Sequence, residues 1–344
     1  MLKGKGGAQM TIREEMELRE TTYLSSYATL SKDSRGRIRK EEECDIRPVF
    51  QRDRDRILHC KSFRRLKQKT QVFLSPNGDH YRTRMTHTLE VSQNARTIAK
   101  ALRLNEDLVE AISLGHDLGH TPFGHAGERA LNRICPEGFS HNEQSVRVVE
   151  VLEKQGKGLN LTAEVVDGIY NHKTAGNPCT LEGKIVQLSD KFAYINHDID
   201  DAIRGGILKE EDLPKKYTDI LGNTTKMRLN RMVHDVIINS MNQPDIRMSE
   251  EVKEATFGLR KFMFENVYKN PLAKGEESKA AHMITELYLF YIEHLSLLPE
   301  HYLHLVEARG ESKERAVCDY IAGMTDLYAI KKFQEYFIPE SWKN

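Results

Sequence analysis

No apolar run in these 344 residues approaches the roughly 18 that a membrane-spanning helix needs, and the opening Met1-Leu-Lys-Gly carries no apolar stretch of the kind a secretory signal requires. A cytoplasmic protein is the expectation, with residues 1–10 as a flexible leader. Five cysteines (Cys44, Cys60, Cys135, Cys179, Cys318) make no C-x-x-C pair and no regular framework, so reduced thiols are expected rather than disulfides. Lys and Arg balance Asp and Glu at 51 each, which removes any global field for nucleic acid. The early glycines are not followed by Gly-Lys-Ser/Thr, no H-E-x-x-H occurs, and no cysteine sits in a triad-like context. A phosphate loop, a zinc protease and a cysteine hydrolase are thereby set aside. Internal repeats and low-complexity segments are missing as well.

What remains is an ordinary globular composition, 39% apolar and 30% charged, long enough for one large domain or two smaller ones. Helical periodicity runs through most of it and strand-like alternation is scarce, which predicts an all-α fold with at most one small β-hairpin. Helices are expected near Ile12–Glu20 and over Asp53–Gln68, Arg84–Leu102, Asn105–Leu118, Gly124–Ile134, Asn142–Gln155, Thr162–Asn171, Leu181–Arg204, Thr225–Asn242, Ser249–Tyr268, Lys279–Ser296 and Ser312–Phe337. Val72 to Asp79, with Asn77-Gly78 at its centre, reads as the hairpin or turn. Gly205-Gly206 and the stretch from Pro214 to Gly222 mark a boundary between a histidine-rich part and a helical remainder. The aromatics Phe257, Phe262, Phe264, Tyr288, Phe290 and Tyr291 of that remainder suit a core or a subunit interface better than base stacking.

Of 14 histidines, six fall between His80 and His141. At their centre stands Leu114-Gly-His116-Asp117-Leu-Gly-His120-Thr-Pro-Phe-Gly-His125. A His-Asp doublet with two further imidazoles offers adjacent nitrogen and oxygen ligands and spare acid-base groups, which suits a divalent metal that activates water. Arg84-x-x-His87 and Asp190, each on its own predicted helix, complete a spaced H…HD…D pattern. A carboxylate such as Asp190 on an apolar helix face is costly unless it is paired or bound to a cation. Between Arg47 and Lys69 nine Lys/Arg face two Asp, a local positive charge of the kind a polyphosphate favours, though such a run is usually a solvated face.

The H…HD…D pattern is that of the HD phosphohydrolases. Further segments, Arg47-Pro-Val-Phe-Gln-Arg-Asp-Arg-Asp-Arg-Ile57, Phe63-Arg-Arg-Leu66, Lys69-Thr-Gln-Val-Phe73, Arg82-Thr-Arg-Met-Thr-His-Thr-Leu-Glu-Val91, the run from His116 to Glu128, and Phe139-Ser-His-Asn-Glu-Gln144, resemble the bacterial deoxyguanosinetriphosphate triphosphohydrolase family. More distantly they are similar to the mammalian HD-domain dNTPase. The resemblance implies an HD-domain helical core over 46–206, preceded by an N-terminal segment 1–45 and followed by a helical C-terminal region 207–344 packed on the same core. It also implies hydrolysis of dNTPs, dGTP among them, to deoxynucleoside and tripolyphosphate by attack at the α-phosphorus.

By the same resemblance His87, His116, Asp117 and Asp190 hold one divalent metal, Mn²⁺ or Mg²⁺ first, with Ni²⁺, Fe²⁺ or Zn²⁺ open. His120, Glu128 and His141 match the acid-base set, and His125 a position at the α-phosphate or leaving oxygen. A carboxylate on one ring nitrogen would poise an imidazole as proton donor; alternatively Glu128 only favours the start of its helix through the dipole. Arg84 and Lys191 would reach phosphate, while Gln68, Tyr194 and Asp198 match positions that hold the deoxyribose. As plain helix residues Lys191 and Asp198 would be solvated charges. Arg52, Arg56 and Arg65 are candidates for triphosphate or effector contact. The family also implies a homo-oligomer, with a nucleotide effector or single-stranded DNA as further partners and no membrane. The rival readings are an HD nucleotidase or phosphodiesterase, and a nucleotide-sensing or single-strand-binding module.

Overall fold

The computed structural model describes residues 10–71, 82–267 and 271–339. Residues 1–9 of the expected leader 1–10 and the expected hairpin or turn over residues 72–79 fall outside them. Thr70 and Thr83, which flank that turn, form an isolated antiparallel bridge, and every regular element among the described residues is helical. In chain order these are α1 (Ile12–Tyr23), α2 (Val49–Leu58), α3 (Lys61–Arg65), α4 (Arg84–Leu102), α5 (Glu106–Gly115), α6 (Gly124–Ile134), α7 (His141–Arg147), the single turn α8 (Glu153–Gly156), α9 (Ala163–Tyr170), α10 (Leu181–Arg204), α11 (Lys215–Leu221), α12 (Thr225–Ser240), α13 (Glu250–Asn266), α14 (Pro271–Glu293), α15 (Glu300–Arg309), α16 (Lys313–Ala322) and α17 (Asp326–Phe337).

Side-chain caps decide many of these starts. Thr83, Asn105, Thr180, Ser249, Ser312 and Thr325 each accept a hydrogen bond from a backbone N–H of the first turn, satisfying a donor the helix leaves orphaned. Three expected helices are broken. Asp53–Gln68 divides at His59-Cys60, where the Cys60 sulfur caps α3. Asn142–Gln155 passes from α7 into a π turn, Val148–Leu152, and then into left-handed Lys154 and Gln155. Ser312–Phe337 divides at Gly323 into α16 and α17. Two helices went unforeseen, α11 in the presumed boundary and α15 behind Pro299.

Two apolar clusters organise the packing. The first gathers Phe50, Ile57, Val91, Ile98, Ile112, Ile169, Ile185 and Phe192, and reaches on to Met232, Val252 and Leu259 of α12 and α13. Here α4 is flanked by α5 and α10, and α5 by α2 and α9. The second joins Ala126, Ala130 and Leu131 of α6 to Ile284, Leu287, Tyr288 and Tyr291 of α14 and to Val317 and Ile321 of α16. Tyr288 and Tyr291 are therefore core, whereas Phe264 is exposed. No helix among the described residues is long and apolar enough to cross a membrane.

Candidate metal centre and acid-base wall

The first turn of α4 is fixed by a reciprocal cap: Thr86 N donates to Thr83 Oγ1, and Thr83 N to Thr86 Oγ1 at 3.0 Å. That cap directs Arg84 and His87 inward, both nearly fully buried. Helix α5 stops at Gly115, so His116 is its C-cap and Asp117 lies in the turn beyond it rather than inside the helix. The turn is held close to α7, because Ser145 Oγ donates to the His116 carbonyl at 2.7 Å and accepts from Gly119 N at 2.9 Å. Position 119 tolerates only glycine: a Cβ there would sit 2.2 Å from Ser145 N and 2.4 Å from the His141 carbonyl oxygen. At Phe123 the chain turns into α6 with φ 60°, a left-handed conformation disfavoured for this residue. Asp326 at the start of α17 accepts from Phe123 N at 3.0 Å and from Thr70 N at 2.9 Å, bracing the turn from the C-terminal region.

Four candidate ligands converge. His87 Nε2 lies 3.1 Å from Asp190 Oδ1, and His116 Nε2 lies 3.4 Å from Asp117 Oδ1 and 3.8 Å from Asp190 Oδ1. His87, His116 and Asp117 present ligand atoms all within 4.8 Å of one another. His116 Nδ1 donates to the Ser113 carbonyl at 2.7 Å, which turns Nε2 toward the carboxylates; that atom is buried without a hydrogen-bond partner and, in the neutral ring, would offer its lone pair to a cation. Burial alone would raise both carboxyls. Instead His120, His116 and Arg84 hold Asp117 well below the usual carboxylate range, and the His87 hydrogen bond and His116 do the same for Asp190. Bare imidazole nitrogen beside two ionised carboxylates is a donor set that fits a divalent cation. Arg84 secures one member from behind, its Nη1 donating to Asp117 Oδ2 at 2.9 Å.

Beside these lies a wall of imidazoles and one carboxylate. The His120 ring stacks on His141 with centroids 4.0 Å apart, and its Nε2 donates toward Asp117 Oδ1 at 3.1 Å. Burial, Arg84 and His141 push the His120 pKa well below its ordinary value, which leaves a neutral ring with Nδ1 free to accept. Glu128 receives His141 N at 3.0 Å and His141 Nδ1 at 2.9 Å on one oxygen, and faces His125 Nδ1 at 3.3 Å with the other. Opposing burial, the hydrogen bonds of His125 and His141 hold the Glu128 carboxyl far below its usual range. Glu128 is the fifth residue of α6, past the first turn to which a dipole effect is confined. Asp117, His120 and His141 also cluster tightly enough to suggest a second ion. Both His141 nitrogens, however, are occupied, one by Glu128 and the other by His172 at 3.1 Å.

Helix α10 carries Asp190, Lys191, Tyr194 and Asp198 along one side at helical spacing. Lys191 is buried, and burial pushes its pKa down to about 8; Asp198 is likewise buried and raised well above the usual range, first by burial and then by Asp201. Gln68 does not join this group, being exposed on a 3-10 turn, whereas Gln71 three residues on is buried, its carbonyl accepting from Arg84 Nη2 at 3.2 Å. Arg56 and Arg65 are not at the metal centre either. Together with Arg52, Lys61 and Lys157 they line a cavity of about 820 Å³ that reaches Leu118 and Gly119. Three contributors are not evident from the sequence: Gln71, although it lies within the Lys69-to-Phe73 motif; Arg260 of α13, 5.9 Å from the Tyr194 ring centroid; and His172.

Lys69, read as one charge on a basic face, is instead buried, with Nζ donating to the carbonyls of His120 and of Ala322. Burial first, then Arg65, push its pKa down to about 7, against opposition from Asp326. Since the unfolded chain keeps its proton up to about pH 10.4, it binds more protons than the folded chain between those values, and stability rises with pH across that window. Urea melts should therefore show wild type gaining roughly 3 kcal/mol relative to Lys69→Met between about pH 7 and about pH 9.5. A gap that does not change with pH would refute this.

The sequence pattern of the HD domain matches residues 84–195, and that of the phosphohydrolase-associated domain matches 246–335. A deoxyguanosinetriphosphate triphosphohydrolase-like protein of Caldanaerobacter subterraneus subsp. tengcongensis is 61% identical over 333 residues, covering 97% of this chain and 98% of the relative. One of Clostridium perfringens is 50% identical over 340 residues, covering 96% and 99%. A solved phosphohydrolase structure from Bacteroides thetaiotaomicron superposes with a TM-score of 0.52 over 82% of this chain and 68% of that one; at 17% identity it speaks for the fold alone.

Proposed function

This chain belongs to the deoxyguanosinetriphosphate triphosphohydrolase-like family of HD-domain phosphohydrolases, and from that premise we propose that it converts a deoxynucleoside 5′-triphosphate and water into deoxynucleoside and inorganic tripolyphosphate. The observation that carries the reading is the junction of the His87, His116, Asp117, Asp190 donor set with the His120, Glu128, His141, His125 wall. When bound, a divalent cation, Mg²⁺ or Mn²⁺ in our proposal, would supply Lewis acidity at the α-phosphate. His120, neutral with a bare Nδ1, accepts a proton from the attacking water. A P–O bond forms to that water as the bond from the α-phosphorus to the 5′-oxygen breaks, and the departing oxygen takes a proton from His125, the exposed imidazole on Glu128. Arg84 and Lys191 offset phosphate charge. Tyr194 presents its ring to the sugar and Asp198 a hydrogen-bonding carboxyl, which together disfavour a 2′-hydroxyl.

A second, regulatory reading goes with the cavity lined by Arg52, Arg56 and Arg65, whose charge suits the phosphates of a nucleotide effector. The deciding experiment incubates the four dNTPs singly and in mixtures with Mg²⁺ or Mn²⁺ and resolves products by ³¹P NMR. Tripolyphosphate with free deoxynucleoside is the expected outcome. Orthophosphate released from monophosphates would indicate a nucleotidase instead, and nucleotide binding without turnover a sensing module. Faster turnover in mixtures than in single-nucleotide assays is the result expected of an effector.

A further inference from the structure

The proposed reaction moves protons through His120 and His125 and gives none to the buried His141 or to the buried His172 beside it. His172 follows α9 and is 2% exposed; Asn142 Nδ2 ties the same chain end to α7 by donating to the Tyr170 carbonyl at 2.9 Å. Its Nδ1 lies 2.7 Å from the Ile169 carbonyl oxygen, which can only accept, so Nδ1 carries the hydrogen. Of the two facing rings, His141 has a carboxylate at its other nitrogen and His172 only a carbonyl, so the extra proton of the pair belongs to His141 and the His172 ring is the neutral one. In the neutral ring Nε2 then bears a lone pair, and it faces His141 Nε2 at 3.1 Å. His141 must therefore donate from Nε2. On its other side Nδ1 approaches the two Glu128 oxygens at 2.9 and 3.1 Å, and an ionised carboxylate only accepts. A ring that donates from both nitrogens is an imidazolium.

We propose that His172 is a positioning residue: an acceptor locked in one tautomer that keeps His141 protonated on both nitrogens against Glu128. Its catalytic consequence rests on the triphosphohydrolase reading. With both N–H groups engaged, His141 is a fixed cation beneath the His120 ring and not the donor to the leaving group. The second Glu128 oxygen, also within reach of His141 Nδ1, meets His125 Nδ1 at 3.3 Å; the His125 side chain is 62% exposed and is the member of the wall that can meet the 5′-oxygen.

The test uses ¹⁵N-histidine-labelled full-length protein with Mg²⁺, the His141 signals being assigned by their disappearance in His141→Gln. In wild type near neutral pH both His141 ring nitrogens should resonate as protonated. His172→Leu removes the acceptor, so one nitrogen should shift to the unprotonated range while kcat for a dNTP falls about tenfold or more and KM stays within about twofold. His172→Gln returns an acceptor oxygen and should restore the doubly protonated signals and much of kcat. A bare His141 nitrogen in wild type overturns the proposal, as does a His172→Leu protein with wild-type spectrum and kcat. Should His172→Leu not fold, the wild-type and His172→Gln spectra decide alone: two protonated nitrogens in both support it, and a bare nitrogen in either overturns it. A protein that hydrolyses no dNTP yet shows the expected spectra sinks the triphosphohydrolase reading and leaves this proton placement standing.

Discussion

Asp117→Ala is expected to lower dNTP turnover by roughly three orders of magnitude or more, because one side chain serves the candidate centre in three ways. Its Oδ1 faces His116 Nε2 and His120 Nε2, at 3.4 and 3.1 Å, and its Oδ2 receives Arg84 at 2.9 Å. Removing it takes a carboxylate from the donor set, frees the His120 tautomer, and leaves a buried guanidinium without its counter-charge. The last effect makes the variant less stable by about 3–5 kcal/mol. Metal content after dialysis, initial rates and urea melts separate the three consequences. Hydrolysis persisting at the wild-type rate would end the metal-hydrolase reading, whatever the melts showed.

Glu128→Gln should come next, lowering kcat by about 10²–10⁴ with little change in KM. The amide keeps the volume but loses the charge that holds His141 and His125, and it can accept in place of only one carboxylate oxygen. The variant is expected to stay folded, since the apolar contacts of α6 with α14 are untouched. Steady-state kinetics beside a circular dichroism spectrum measure this. If kcat is preserved, the carboxylate has no part in the chemistry and serves only the packing of its helix.

Much of this architecture could be read in advance where a local cause was strong. The doublet at His116-Asp117, the paired Arg84 and His87, and Asp190 stand out because their types are costly inside a helical core unless something binds them. Helix starts capped by Thr83, Asn105, Thr180, Ser249 and Ser312 were similarly legible, whereas the one capped by Thr325 was not. The breaks were not, for they turn on tertiary contacts: Cys60 is a weak capping residue that no propensity rule singles out, and the π turn after α7 precedes a loop whose left-handed residues are Lys154 and Gln155 rather than glycine alone. Lys69 belonged to a run of nine cations and gave no sign of being the one that is buried. His172 sits in a segment without motif, and its meaning comes from α7 and α9 meeting end to end.

The family patterns divide the chain at residues 195 and 246, yet the contacts do not respect that division. Asp326 braces both Thr70 and Phe123, Lys69 bonds Ala322, and Asp319 receives Gln144 and Arg147 of α7. A chimera that kept the histidine-bearing half and borrowed its tail from elsewhere would inherit a left-handed Phe123 with nothing to compensate its strain. Exchange between such proteins is thus constrained to whole chains, or to tails that bring an aspartate to the same spot.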